Sequence, residues 1–179
     1  MSLPGNPTHS RAIEAYRAGQ HGDALRLLES AAAEARRRGD RAAEALALND
    51  LGVVAQNLRR YPEAQRHFEA ALALFDAPGD ERARAQTLGN LGTLLGEIHR
   101  PREAAAKLEQ ASELFTRLGD NAGASLTLKW LSRTHMQRGS FLEAIFAYER
   151  ALARMEPLPP HLALLRRFLR IPMTILQRG

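Results

Sequence analysis

Six histidines, His9, His21, His67, His99, His135 and His161, are the side chains best suited to acid–base or metal chemistry in this sequence. No two stand four apart and none opens a His-Glu-x-x-His run, so the spacing that sets two imidazoles on one helix face for a metal is missing. With no cysteine, thiolate metal sites, disulfides and a cysteine nucleophile are excluded together. Gly89, Gly92 and Gly96 imitate a phosphate-cradling loop, but they fall inside a helical apolar period and no Gly-Lys-Ser/Thr follows. Asp23, Glu63, Glu103 and Glu143 recur forty apart. That spacing puts them in first turns of separate helices, where the dipole favours an acid, and not in the close pair that catalysis needs. No catalytic residue, metal site or cofactor is expected, and the chain is not expected to be an enzyme.

The elements that carry these side chains follow from composition. The chain has 179 residues, 45% apolar and 25% charged, a balance that excludes wholesale disorder. No apolar run approaches the ~20 residues that span a bilayer, so no membrane partner is expected. Met1–Ser10 lacks a basic region followed by an apolar stretch; it is no secretory signal and reads as a flexible lead-in. The absence of cysteine fits a reducing compartment, and the expected location is cytoplasmic. Thirty-one alanines, abundant leucine and few β-branched residues make the class all-α. Twenty-three arginines against two lysines fit a GC-rich, bacterial-like composition. The net charge of +5 accumulates after residue 120, and the tail from His161 carries Arg166, Arg167, Arg170 and Arg178 with no acid. A basic end suits an acidic partner or a nucleic acid; it also suits a solvated helix face.

The sequence repeats every 40 residues. Gly39-Asp40, Gly79-Asp80 and Gly119-Asp120 recur at that spacing, and Pro159-Pro160 follows as a further helix stop. Ala24, Ala64, Ala104 and Ala144 form one column; Ala31, Ala71, Ala111 and Ala151 form another. Leu28, Phe68, Leu108 and Tyr148 form a large apolar column. Leu48, Leu88 and Leu128 align, as do Leu51, Leu91 and Leu131, followed by Gly52, Gly92 and Ser132. Each unit reads as two helices, in the second repeat roughly residues 41–58 and 62–76. Gly52 and Gly92 admit a close helix, and the Gly-Asp pairs end one helix and cap the next.

This pattern of a large apolar residue, Leu-Gly, Ala, a large residue and Ala resembles the tetratricopeptide repeat (TPR), in a long-helix form with a 40-residue rather than a 34-residue period. The resemblance covers residues 10–160, with a degenerate first helix at Ala12, Tyr16 and Gly19. It implies a right-handed α-solenoid: a lead-in at 1–10, a degenerate repeat at 11–40, repeats at 41–80, 81–120 and 121–160, and a capping helix at 161–179. Against the family pattern, His135 takes an aromatic core position and reads as a packed, hydrogen-bonded histidine.

The resemblance also implies a concave groove lined by the first helix of each pair, holding a partner peptide. By phase the lining is Leu46, Asn49, Asp50, Val53, Gln56 and Asn57, then Gln86, Asn90, Thr93 and Glu97, then Leu126, Lys129, Trp130, Arg133, Met136 and Gln137. Asn90 takes the place of an asparagine that grips peptide backbone. Carrying the register into the tail adds Arg166 and Arg170 to Lys129 and Arg133, beside Trp130 as an apolar anchor. An acidic peptide is therefore the expected ligand of a non-catalytic adaptor, with Arg36 on an outer helix playing no part. The alternatives are the sensor or oligomerisation arm of a larger transcription regulator and direct nucleic-acid binding through the arginine-rich end. In the tail helix, Leu162, Leu165, Phe168 (or Leu169) and Ile171 make the expected packing stripe. Pro172 is expected to break or kink that helix, leaving an apolar remnant that could pair as a homodimer.

Overall fold

The structure is a computed structural model that describes residues 7–75, 80–155 and 157–176, with side chains in the last helix as far as Leu169. The described residues form nine helices and no strand: α1 Pro7–Arg17, α2 His21–Arg38, α3 Arg41–Asn57, α4 Tyr61–Leu72, α5 Glu81–Glu97, α6 Pro101–Arg117, α7 Asn121–Gln137, α8 Phe141–Ala153 and α9 Pro160–Leu176. The 40-residue period is thus a helix start every twenty residues, an α-solenoid of helical repeats. The chain divides into two compact units, residues 1–94 and 95–179. In the first, α1 packs on α2, α2 on α3 and α3 on α4; in the second, α6 packs on α7, α7 on α8 and α8 on α9. Turns of two or three residues make these neighbours antiparallel as far as α8, and a six-residue connection leads from α8 to α9.

The turns share one construction. Gly19, Arg59, His99 and Gly139, forty apart, all take the left-handed conformation, with φ of 75°, 58°, 59° and 73°. The amide after each reaches back to the fifth carbonyl before it, as in Arg60 to Ala55 and Arg100 to Leu95, both 2.9 Å. Arg59 and His99 bear a Cβ where glycine has none, a cost of about 1–2 kcal/mol. Replacing His99 by glycine should return about 1 kcal/mol after glycine's added unfolded-state entropy. A urea midpoint that rises with an unchanged slope is the expected reading; an unmoved midpoint means that the turn carries no strain. Between repeats, Asp40 Oδ1 accepts from the Ala43 amide at 3.0 Å and Asp120 Oδ1 from the Gly123 amide at 2.9 Å, the caps that the Gly-Asp pairs imply. Gly79 lies outside the described residues.

The small-residue columns are the core. All eight repeat alanines are buried, as are Leu28, Phe68, Leu108, Leu48, Leu88, Leu128, Leu51, Leu91 and Leu131. A Cβ built on Gly52 would stand 2.5 Å from Phe68 Cε1, so glycine is what lets α4 close on α3. Ser132 fills this phase in α7, and its hydroxyl donates to the Ala144 carbonyl at 2.7 Å. Ser125 donates likewise to Ala151 at 3.0 Å, so α8 is tied to α7 by two buried hydroxyls.

Several expectations need correction. Pro7–Ser10 are the first turn of α1, so the lead-in is shorter than residues 1–10. The second helix of repeat two ends at Leu72, short of residue 76. Pro160 opens α9 and does not stop α8, which ends at Ala153; a proline fits a first turn because its missing N–H has no partner there. The backbone stays helical past Pro172 to Leu176. The packed stripe of α9 is Leu162, Arg166 and Leu169, all partly buried, while Leu164, Leu165 and Phe168 are exposed. The Arg166 pairing with Glu149 on α8 turns the helix this way. The side chain of Ile171 lies outside the described residues.

Candidate binding surfaces

In the first unit, polar side chains on α1, α3 and α5 meet at an offset near 41 residues. His9 Nε2 lies 2.8 Å from Asp50 Oδ2. Asn49 donates its Nδ2 to Asp50 Oδ1 at 3.1 Å, and Asn90 donates its Nδ2 to Asn49 Oδ1 at 3.0 Å. Asn57 bonds the Tyr16 hydroxyl. The structure therefore brings Asn49, Asp50 and Asn90 into one chain of hydrogen bonds. Thr93 turns back to its own helix, donating to the Gly89 carbonyl at 2.9 Å. Val53 and Gln56 are half-buried; Leu46, Asn57 and Gln86 are exposed.

His9 and Tyr16 belong to this face although sequence reasoning did not place them in the groove. His9 stands forty before Asn49, so carrying the register backward into α1 would have found it. The hydrogen bond to Asp50 raises the His9 pKa above its ordinary 6.5, against the opposing effect of burial. A histidine with a raised folded pKa stabilises fully below pH 6.5, and that contribution is lost as pH rises through the folded value. Amide protection in α1, corrected for the intrinsic exchange rate, should accordingly fall between about pH 6 and 8. His9→Gln should flatten this dependence; a profile that persists in the variant assigns it to another group.

In the second unit the corresponding face is on α7. Trp130 is half-buried against a cluster of Ala105, Leu108, Leu131, Ala147 and Ala151 from α6, α7 and α8. The Arg133 guanidinium lies 5.3 Å from its ring centroid, a cation–π distance. Lys129 is half-buried, and Arg133 has no carboxylate partner among the described residues. Leu126 and Met136 are 60% and 51% exposed on either side, and Gln137 is exposed at the helix end. Arg166 is engaged elsewhere, with its Nε 3.2 Å from Glu149 Oε1. The side chain of Arg170 lies outside the described residues. Glu97 is exposed at the end of α5.

The recurrent acids stand in first turns of α2, α4, α6 and α8. Among the described residues no group of histidine and acidic side chains could hold a metal, and no helix is long and apolar enough to cross a membrane. His135 is packed as expected, but the expected hydrogen bond is missing at its Nδ1, which is buried with no partner. Burial, then the nearby Arg138, lowers its pKa, so the imidazole is neutral near pH 7.

A sequence model of the tetratricopeptide repeat matches residues 8–77, 43–117 and 84–156, in the same register as these helices. The chain belongs to the tetratricopeptide repeat family. None of the curated proteins matches it. Solved structures do. BtubC (BKLC) from P. vanneervenii is 23% identical with a TM-score of 0.75; the match covers 85% of this chain, which spans 65% of the BtubC chain. TPR-like repeats assigned to a kinesin light chain of Podosopora anserina match twice. One structure has 18% identity, TM-score 0.63 and coverage of 86% and 78% of the two chains. The other, a point variant, has 16% identity, TM-score 0.65 and coverage of 97% and 96%. At these identities the likeness shows the fold alone. TPR repeats as a family are protein-interaction scaffold modules.

Proposed function

We propose that this TPR chain is a non-catalytic adaptor or peptide-sensing module whose α7 face binds an acidic protein segment. The observation that carries the reading is Arg133 held over the half-buried ring of Trp130, with Lys129 one residue before the tryptophan and apolar Leu126 and Met136 exposed alongside. The ring is anchored in the core of its unit, so little side-chain freedom is lost on binding. A guanidinium already oriented by the ring can take a carboxylate through two parallel bonds, and the adjacent apolar side chains can bury the partner's own. Asn90 and Asn49 in the first unit, with amides that donate and accept, are the proposed contacts for main-chain groups there.

The test is a pull-down with the intact protein followed by affinity measurements with the partner recovered. Trp130→Ala and Arg133→Ala should each weaken binding by roughly 1–3 kcal/mol, about 5- to 150-fold. Arg66→Ala on α4, an exposed cation without an ion-pair partner among the described residues, should leave it unchanged. Equal losses at all three positions would make the contribution one of general charge, and no loss at Trp130 and Arg133 would move the site off α7.

A further inference from the structure

Between α6, α7 and α8 lies an open surface crevice of about 460 Å³. Its volume is in the range of small-molecule sites. The apolar lining is Ala105 and Ala106 of α6, Leu131 of α7 and Phe146 and Ala147 of α8. The charged groups come from α6, from α8 and from Arg138 in the turn between α7 and α8. Arg150 and Glu109 pair with each other at 2.9 Å and cancel. Arg102, Arg138 and Glu143 line the crevice with no ion-pair partner among the described residues, which leaves one positive charge in excess. His135 also lines it, bearing a buried ring nitrogen that has no hydrogen-bond partner. The apolar lining and the spare positive charge converge on one concavity between α6, α7 and α8, and its charged side chains are ones that the peptide-binding reading leaves unused.

We propose that this crevice binds a small monocarboxylic acid with an aromatic or branched apolar body, independently of any partner on the α7 face. The apolar body would lie on Leu131 and Ala147 beside Phe146, and the carboxylate would meet Arg102 or Arg138. A chain terminus ending in phenylalanine carries the same chemistry as a free acid, and the two are separable by experiment.

The probe is 3-phenylpropionate, titrated into the full ¹⁵N-labelled chain and followed by amide shifts. Saturable shifts are expected at Leu131, His135 and Ala147 in the millimolar range. The neutral isostere 3-phenylpropionamide should bind at least fivefold more weakly. Arg102→Gln combined with Arg138→Gln should weaken the acid at least tenfold, and the variant should fold normally because neither arginine makes an ion pair to lose. A short peptide ending in phenylalanine that binds more tightly than the free acid assigns the site to a chain terminus; weaker binding assigns it to a free acid. Equal shifts with acid and amide, shifts surviving in the double variant, or no shift at about 10 mM, an order of magnitude above a 1 mM Kd, would overturn the proposal. Arg133→Ala, which removes the α7-face cation and does not touch the crevice lining, should not alter this titration, so the two sites fail separately.

Discussion

Replacing Gly52 by alanine should destabilise the protein by about 2–3 kcal/mol. The added Cβ would meet Phe68 Cε1, Cδ1 and Cζ at 2.5, 2.6 and 2.9 Å, well inside contact. The ring has nowhere to go, because Phe68 is fully buried among the helices of its unit. Either the ring leaves its rotamer or α3 and α4 separate, and both lose packing. Phe68→Leu should cost about 1–2 kcal/mol alone. Together the two changes should cost at least about 1 kcal/mol less than their sum, because the smaller side chain makes room for the methyl. Urea unfolding of the four proteins checks this. Strictly additive losses would mean that the glycine serves the backbone and not the ring. Ser132, at the same phase in α7, shows that a Cβ fits where the facing large residue, Tyr148, is only partly buried.

Arg36→Ala should cost about 2 kcal/mol, although Arg36 stands on an outer helix surface. Its guanidinium gives Nε and Nη2 to one oxygen of Glu44, at 2.7 and 2.6 Å. The Glu44 side chain is only 9% exposed. Removing the arginine strands a nearly buried carboxylate, and that penalty exceeds the worth of an ordinary surface pair. The 71% exposure of Arg36 lets solvent reach the vacated space and keeps the cost below that of a fully buried pair. Arg36→Ala with Glu44→Ala should recover much of the loss. A single-variant cost below about 0.5 kcal/mol would place the pair among indifferent surface contacts. For the same reason Arg36 is unfit as a silent control for partner binding, a role that its position on an outer helix had suggested.

The helix pairs were legible because each constraint is written several times. One alanine column could be chance; Ala24, Ala64, Ala104 and Ala144 in phase with Leu28, Phe68, Leu108 and Tyr148 could not. Contacts made once were not legible. Arg36 with Glu44 and Arg166 with Glu149 depend on the reach and rotamer of a long side chain, which no period encodes. The His9–Asp50 and Asn49–Asn90 bonds sit 41 apart, one residue off the repeat, because a side chain leans along its helix and meets the next position on its neighbour. The orientation of α9 was misjudged because four leucines and a phenylalanine surround its arginines, and apolar period alone gave no unique face. The ion pair chose it. For the candidate site, phase set Lys129, Trp130 and Arg133 on one helix; that Trp130 is rooted in the core while Arg166 is spent on Glu149 needed coordinates.

In both units the main helix contacts, α1 to α4 in the first and α6 to α9 in the second, join helices that follow one another in the chain. Such contacts close short loops, so little chain entropy is spent before packing begins to repay it. Each unit should then fold on the microsecond-to-millisecond scale of low-contact-order proteins, growing outward from whichever helix pair forms first. A chain emerging from the ribosome could start on α1–α3 before the last helices exist. α1, held to α2 by packing and to α3 by the His9–Asp50 and Tyr16–Asn57 bonds, should open more readily once those bonds are lost.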